Sequence, residues 1–213
     1  MAQIIYLHGF ASGPKPQSPK VALLRTLGHA VHCLDTQGGY RPEDYQRAAA
    51  TLHLTHSSPN PSPDPSTGSA PDSPTHSLPD LLVGSSLGGF WARRLGLRLG
   101  LPWIGLNPAL RPSATLARYG GRLQRFDVDA DFIWSADDAR AYRPLEQAPV
   151  TGSAPGLILV AEDDDVVDAQ ETLALAGDCE RLVLPRGGHE LANTADYADT
   201  LARFIERITV AAP

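Results

Sequence analysis

Short apolar runs alternate with amphipathic segments along the chain. The runs are brief, continuous and rich in branched aliphatic side chains, which is typical of strands buried on both faces of a parallel sheet. They cover residues 2–7, 30–34, 81–83, 102–106, 156–161 and 181–184. Between them, apolar positions at helical spacing predict helices over about 20–27, 42–54, 87–99 and 169–176, and a last one that ends near 208. This alternation predicts an α/β fold, with a mainly parallel central sheet and helices on both faces.

Two segments interrupt the alternation. Residues 57–79 consist largely of proline and serine, so they cannot bury enough apolar surface to offset the entropy of ordering. We predict a flexible surface insertion there, rather than a ligand for a partner domain, because no P-x-x-P pattern with basic flanks stands out. Residues 110–150 look irregular or weakly helical and carry spaced aromatic residues. For these we predict a small cap segment over the site, with packing on the flank of the sheet as the alternative.

Composition and charge restrict the class of protein. The 213 residues suffice for a single domain over 1–213, and 42% of them are hydrophobic. A net charge of −6 without a dense basic run argues against a nucleic-acid surface. The sequence shows no signal-peptide pattern and no apolar stretch of membrane-spanning length, so we expect a cytoplasmic protein. Cys33 and Cys179 lie in apolar runs and are expected to be buried thiols rather than a disulfide or metal pair.

The candidate chemistry begins in the pentapeptide Gly84-Ser85-Ser86-Leu87-Gly88. This G-x-S-x-G pattern lies between an apolar run and an amphipathic helix, which is the context of a nucleophile elbow. Such a turn strains its central residue, and the flanking glycines avoid collisions with neighbouring backbone. We therefore predict Ser86 as a nucleophile, although a βα turn capped by a serine has a partly similar sequence. Ser85 lies beside the apex of the turn and is the less favoured nucleophile.

The partners of such a serine come later in the chain. A serine hydroxyl is a weak nucleophile at neutral pH and needs an adjacent base, which a carboxylate orients. The acidic run 162–165 follows one strand, and Gly187-Gly188-His189 follows the last strand. Imidazoles titrate near neutral pH, so His189 is the candidate base. The order Ser, Asp, His is that of α/β hydrolases, and Asp163, Asp164 and Asp165 are all candidates for the acid.

A negatively charged tetrahedral intermediate needs at least two aimed hydrogen-bond donors. The backbone N–H of Leu87, next after the nucleophile, is one candidate donor. We expect the second from the turn His8-Gly9-Phe10, which follows the first strand, and assign it to the N–H of Phe10. His8 is predicted to brace this loop, because only one histidine can follow the acid in chain order. No metal or other cofactor is expected, since the acidic run has no second group of ligands near it in the sequence.

Five segments in the same order carry a family resemblance. They are residues 4–10, 84–90, 106–109 together with 111–112, 164–168 and 187–189. On these segments the chain resembles the α/β-hydrolase superfamily and, within it, the small bacterial esterases of the YqiA/YcfP type. Two features depart from that pattern. The insertion at 57–79 has no counterpart there, and the run 162–165 stands where the family usually shows Gly-Asp-Glu.

The resemblance implies both a fold and a set of roles. The fold is an α/β-hydrolase-type three-layer sandwich with a mainly parallel sheet and a small cap-like segment. Asp164 corresponds to the acid of the family, which implies a Ser86–His189–Asp164 triad, with Asp163 and then Asp165 as alternatives for the acid.

These roles lead to a functional hypothesis, a serine carboxylesterase-like enzyme that cleaves a small-molecule acyl ester or thioester through an acyl-enzyme. A peptidase, amidase or acyltransferase with the same triad is one alternative, and a non-catalytic binding protein on a hydrolase fold is another. The natural substrate and the oligomeric state do not follow from the sequence.

Overall fold

The computed structural model describes residues 1–51 and 78–210. Eight strands occur in these residues: β1 (Gln3–Leu7), β2 (Ala30–Cys33), β3 (Leu81–Ser85), β4 (Trp103–Leu106), β5 (Gly121–Gln124), β6 (Asp131–Trp134), β7 (Gly156–Ala161) and β8 (Glu180–Leu184). The α-helices of the same residues are α1 (Pro19–Thr26), α2 (Pro42–Thr51), α3 (Leu87–Leu99), α4 (Pro112–Thr115), α5 (Ala136–Arg140), α6 (Arg143–Gln147), α7 (Ala169–Leu175) and α8 (Ala198–Val210).

Six of these strands form one sheet in the order β2-β1-β3-β4-β7-β8, and every neighbouring pair is parallel. All five residues of β3 and all six of β7 are buried, as the continuous apolar runs predicted. Because the strands are parallel, their carboxyl ends all lie at one edge of the sheet. The strand order changes direction at β1, and a crevice forms at that edge where the order changes. The predicted parallel α/β sheet is confirmed.

Helices cover both faces of this sheet. On one face, apolar residues of α2 and α3 pack with Leu7 and Leu82 of the sheet. On the other face, α1 and α8 pack with Tyr6, Leu81 and Val83. Successive strand residues alternate between the two cores, as the period of two along a strand requires. The arrangement has three layers, helices on sheet on helices, and confirms the predicted sandwich.

The segment 110–150 contains more regular structure than its sequence indicated. Strands β5 and β6 form an antiparallel hairpin, with Gly121 opposite Trp134. Each strand has only four residues. Leu123 is the one large apolar side chain of β5, and the three-residue apolar run of β6, Phe132-Ile133-Trp134, was not assigned to a strand. Hydrogen bonds attach the hairpin to its surroundings: the indole Nε1 of Trp134 donates to the carbonyl oxygen of Leu116 at 3.2 Å, and the N–H of Phe126 donates to the carbonyl oxygen of Ala11 at 2.7 Å.

Other sequence predictions fall outside the described residues. The proline- and serine-rich insertion predicted at 57–79 does so except for Leu78 and Pro79. The helix predicted over 42–54 is observed as α2 as far as Thr51, and its last three positions also lie outside. Among the helices of 1–51 and 78–210, none combines the length and the apolar character that crossing a membrane requires.

The first turn of α3 lies against the end of β1 with no room for side chains. A Cβ at Gly88 would collide with the carbonyl oxygens of Leu7 and His8, and a Cβ at Gly84 would collide with the backbone of Gly88. This confirms the predicted reason for glycine on both sides of the central serine.

We predict that Gly88→Ala lowers the free energy of unfolding by at least about 2 kcal/mol, because the collision is with backbone that cannot move aside. Gly120→Ala is the matched control, since its Cβ would have only the carbonyl oxygen of Trp134 near it, at 4.0 Å. Its effect should stay within about 0.5 kcal/mol. Urea unfolding of both variants measures this, and equal stabilities would contradict the packing described.

Candidate active site

Ser86 lies at the turn between β3 and α3 with a strained backbone. Its φ of 53° and ψ of −121° fall in a region that residues with a side chain rarely adopt, at a cost of about 1–3 kcal/mol. Hydrogen bonds hold it there: its N–H donates to the Leu106 carbonyl at 3.0 Å, and its own carbonyl accepts from Gly89 and Ala109 at 2.9 and 3.1 Å. The geometry is that of the nucleophile elbow predicted from the sequence.

His189 and Asp164 are 25 residues apart in the chain and form a hydrogen-bonded pair. The imidazole Nδ1 lies 2.9 Å from Oδ2 and 3.1 Å from Oδ1 of Asp164. The carboxylate side chain is 1% exposed and the imidazole 19%, so the acid is covered while the histidine reaches the surface of a cavity.

The loop after β7 holds Asp164 as a carboxylate. Burial opposes its charge, but the hydrogen bond with His189 and the backbone N–H groups of Val166 and Val167 outweigh burial and lower the pKa of Asp164 below its ordinary value. Both N–H groups donate to Oδ1, at 2.8 and 2.9 Å. Asp163 has a different contact, because its Oδ1 accepts the N–H of Gly188 at 2.7 Å.

Asn107 joins three strand ends, a role that the sequence analysis did not assign. It follows β4, is 1% exposed and has a φ of 43°. Its Nδ2 donates to the carbonyl oxygens of Gly188 and His189, at 2.8 and 3.2 Å, and its Oδ1 accepts the N–H of Ala161 at 2.8 Å. The amide therefore fixes the loop that carries His189 to the ends of β4 and β7. The sequence feature that could have indicated this role is the position of Asn107 directly after a buried strand, at the edge of the sheet where the other site residues lie.

The turn after β1 lies directly against Ser86. A Cβ on Gly9 would lie 3.2 Å from the Cβ of Ser86, and the Tyr45 hydroxyl donates to the His8 carbonyl at 2.8 Å. Within the described residues, the backbone N–H groups of Phe10 and Leu87 donate to no protein acceptor. Unpaired donors at this point are what an oxyanion site requires.

The His8 ring is buried beside the same turn. Burial lowers its pKa to about 4, so the imidazole is neutral at pH 7. Its Nε2 is buried without a hydrogen-bond partner in the part of the chain that the structure describes. The ring packs edge-on against Tyr6, with 5.2 Å between the ring centroids.

Ser86 and His189 line one cavity of about 740 Å³. Its apolar lining comes mainly from Phe10 and from the segment around the hairpin, namely Leu116, Tyr119, Leu123 and Phe126. Within 1–51 and 78–210, no hydrogen bond joins the Ser86 hydroxyl to His189. The same residues contain no group of three or more His, Cys, Asp or Glu side chains placed to hold a metal ion.

By its fold, the chain is a member of the α/β-hydrolase superfamily. The features that define this class are the order of the strands, the strained turn at Ser86 and the His–Asp pair at the ends of neighbouring strands. Residues 68–206 match the profile of the Uncharacterised protein family (UPF0227), and the chain belongs to that family. The resemblance to the YqiA/YcfP-type family within the superfamily is thereby confirmed.

Related sequences align with most of the chain. A UPF0227 protein of Vibrio vulnificus (strain CMCP6) is 25% identical over 169 residues, which is 79% of either chain. A UPF0227 protein of Vibrio atlanticus (strain LGP32) is 23% identical over 203 residues, covering 94% of this chain and 98% of the relative.

Solved structures with low sequence identity share the fold. Est1E from Butyrivibrio proteoclasticus superposes with a TM-score of 0.66 at 15% identity, over 98% of this chain and 88% of that one. The esterase domain of a Rhodothermus marinus protein gives a TM-score of 0.62 at 17% identity, over 97% and 87%. Mouse alpha/beta hydrolase domain-containing protein 10 gives 0.63 at 17%, over 98% and 89%.

We predict that Asp164→Asn destabilises the fold by roughly 1–3 kcal/mol at pH 7, because it removes a charged acceptor from the buried loop. The folded-state pKa of Asp164 is lowered. The stabilisation is therefore complete above the ordinary carboxyl pKa of about 3.9 and is lost as pH falls through the lower folded value.

Urea unfolding between pH 7 and pH 3 measures this difference between the parent and the variant. Asp178→Asn removes an exposed carboxylate and should change stability by less than about 0.5 kcal/mol at every pH. A loss for Asp164→Asn that does not shrink in acid would contradict the assigned charge state.

Proposed function

We propose that the chain is a serine hydrolase that cleaves ester bonds through Ser86, His189 and Asp164. One observation carries the proposal: the strained serine and the imidazole of a buried His–Asp pair line the same cavity. Relatives in fold that are named as esterases, such as the Rhodothermus marinus domain, favour esters over other acyl bonds. The proposal places the whole chain, 1–213, in one domain.

The reaction begins with attack of the Ser86 Oγ on the ester carbonyl carbon. His189 takes the hydroxyl proton on Nε2, while its Nδ1–H donates to Asp164, which fixes the tautomer and stabilises the imidazolium. The missing Ser86–His189 hydrogen bond is compatible with this role, because catalytic hydrogen bonds are often long until substrate binds.

The tetrahedral intermediate carries its negative charge on the former carbonyl oxygen. The N–H groups of Phe10 and Leu87 are the donors that we assign to it, supported by their lack of other protein acceptors in the described residues. The imidazolium of His189 then protonates the leaving alcohol or thiol, and the acyl group stays on Ser86. A water molecule, deprotonated by His189, attacks this acyl-enzyme and regenerates the serine.

We further propose that the segment 110–150 caps the site. Tyr119, Leu123 and Phe126 of this segment line the cavity, and the Phe126 side chain is 76% exposed overall. Arg118 joins the segment to the acid loop, since its guanidinium donates to the Val166 carbonyl at 2.6 Å. A cap of this composition favours an apolar group on the substrate.

We predict that Ser86→Ala lowers kcat on 4-nitrophenyl butyrate by at least about 10⁴-fold and abolishes labelling by a fluorophosphonate probe. Ser85→Ala is the matched control, because it removes the adjacent hydroxyl and keeps Ser86. We expect this variant to be labelled by the probe. Gel fluorescence and mass spectrometry of the labelled protein measure this. Labelling that persists in Ser86→Ala would remove Ser86 from its role.

We predict that, of Asp163→Asn, Asp164→Asn and Asp165→Asn, the second has the largest loss of kcat, about 10⁴-fold. Asp163→Asn should lose less, because its carboxylate supports the backbone at Gly188 and does not touch the imidazole. Steady-state kinetics of the three purified variants decide this. A larger loss at position 163 or 165 would assign the acid elsewhere.

A further inference from the structure

The chain carries its positive charges almost entirely on arginine. Only two of its 18 Lys and Arg residues are lysines, Lys15 and Lys20, and both line the cavity that contains Ser86. A lysine ammonium is a compact point charge on a flexible stem, whereas an arginine guanidinium is a planar fork that binds carboxylates through two hydrogen bonds. The two lysines are thus placed together at the one cavity where the candidate chemistry occurs.

Lys20 is buried without a counter-charge. It is 9% exposed, and its Nζ donates to the Ser85 Oγ at 2.9 Å, directly beside the nucleophile. In the described ranges no carboxylate lies within 4.0 Å of this ammonium. Burial lowers the pKa of Lys20, while the charges of Glu190 and Asp164 raise it. A buried ammonium without a paired carboxylate is costly, so it is expected where an anion arrives from outside.

The surroundings of Lys20 suit an anion. The stretch that contributes it to the cavity also contributes Ser12, Lys15 and Ser18, and α1 begins here with Ser18 as its N-cap. The start of a helix adds the positive end of its dipole. Glu190 also lines the cavity, but it is exposed and forms no ion pair with Lys20 among the described residues.

We propose that Lys20, assisted by Lys15, binds a carboxylate on the substrate of Ser86. The inference rests on the proposed function and specifies its substrate class, an ester with an apolar portion and one negative charge. The ammonium of Lys20 balances the single negative charge of this carboxylate. The carboxylate oxygens would also accept hydrogen bonds from the N–H groups of Lys20 that do not donate to Ser85. The residues around 116–126 bind the apolar portion.

Binding to a Ser86→Ala chain tests this without dependence on catalysis. One ligand pair places the charge on the acyl side: 4-nitrophenyl hydrogen adipate against 4-nitrophenyl hexanoate. A second pair places it on the alcohol side: 4-butyryloxybenzoate against its methyl ester. Calorimetry gives the four Kd values, and we expect at least one anion to bind ten-fold or more tightly than its neutral partner.

The variant Lys20→Met, in the same Ser86→Ala chain, should reduce that ratio to less than three-fold. Arg203→Met is the control, because it removes an equal charge from the exposed surface of α8. Methionine has a similar length and no charge to desolvate, so the fold should persist, and Lys20→Gln serves as a second variant.

The outcomes separate the proposals. Ratios near one with Lys20 present, or a preference that survives in Lys20→Met, would overturn the carboxylate site. So would a lowered melting temperature in Lys20→Met with an unchanged ratio, which is the signature of a purely structural role. If the chain with Ser86 intact hydrolyses none of the four esters while the ratio still depends on Lys20, the hydrolase proposal fails and the carboxylate site stands.

Discussion

The strained backbone of Ser86 determines how the neighbouring strands, the first turn of α3 and the turn after β1 pack together. A φ of 53° on a residue with a side chain persists only because neighbouring elements fix it, here the ends of β3 and β4 and the first turn of α3. The same packing requires glycine at positions 84 and 88 and brings the turn after β1 within contact of the serine. The elbow therefore links local strain to the assembly of a whole sheet edge.

Three buried ionisable groups around the cavity differ in their charge state. Asp164 is almost completely buried, yet it stays ionised because three donors converge on it. His8 is buried nearby without such partners, and its imidazole is neutral. Lys20 is an intermediate case, a buried ammonium with one neutral partner. Burial therefore decides the ionisation of His8, whereas donated hydrogen bonds outweigh burial at Asp164.

The sequence was sufficient to predict the sheet and the elbow, because both depend on local patterns. An apolar run such as 156–161 indicates a buried strand. A G-x-S-x-G pattern between a strand and a helix indicates either a nucleophile elbow or a turn capped by a serine. The hairpin β5–β6 was missed because its strands are short. β5 has no apolar run, that of β6 is only three residues long, and the hairpin depends on pairing between the two strands and on the hydrogen bond from Trp134 to Leu116. Which of three adjacent aspartates contacts the imidazole depends on how one loop turns, and spacing cannot supply that. The side chains of Asn107 and Lys20 form their hydrogen bonds with partners 54 or more residues away in the sequence.

A crystal structure of the protein inactivated by a fluorophosphonate would show whether side chains distant in the sequence meet around the Ser86 hydroxyl. We expect phosphorus bonded to the Ser86 Oγ, with the phosphoryl oxygen about 2.7–3.1 Å from the N–H groups of both Phe10 and Leu87. The His189 imidazole should lie beside the adduct. A phosphoryl oxygen directed away from these donors, or an imidazole that cannot reach the adduct, would contradict the proposed site.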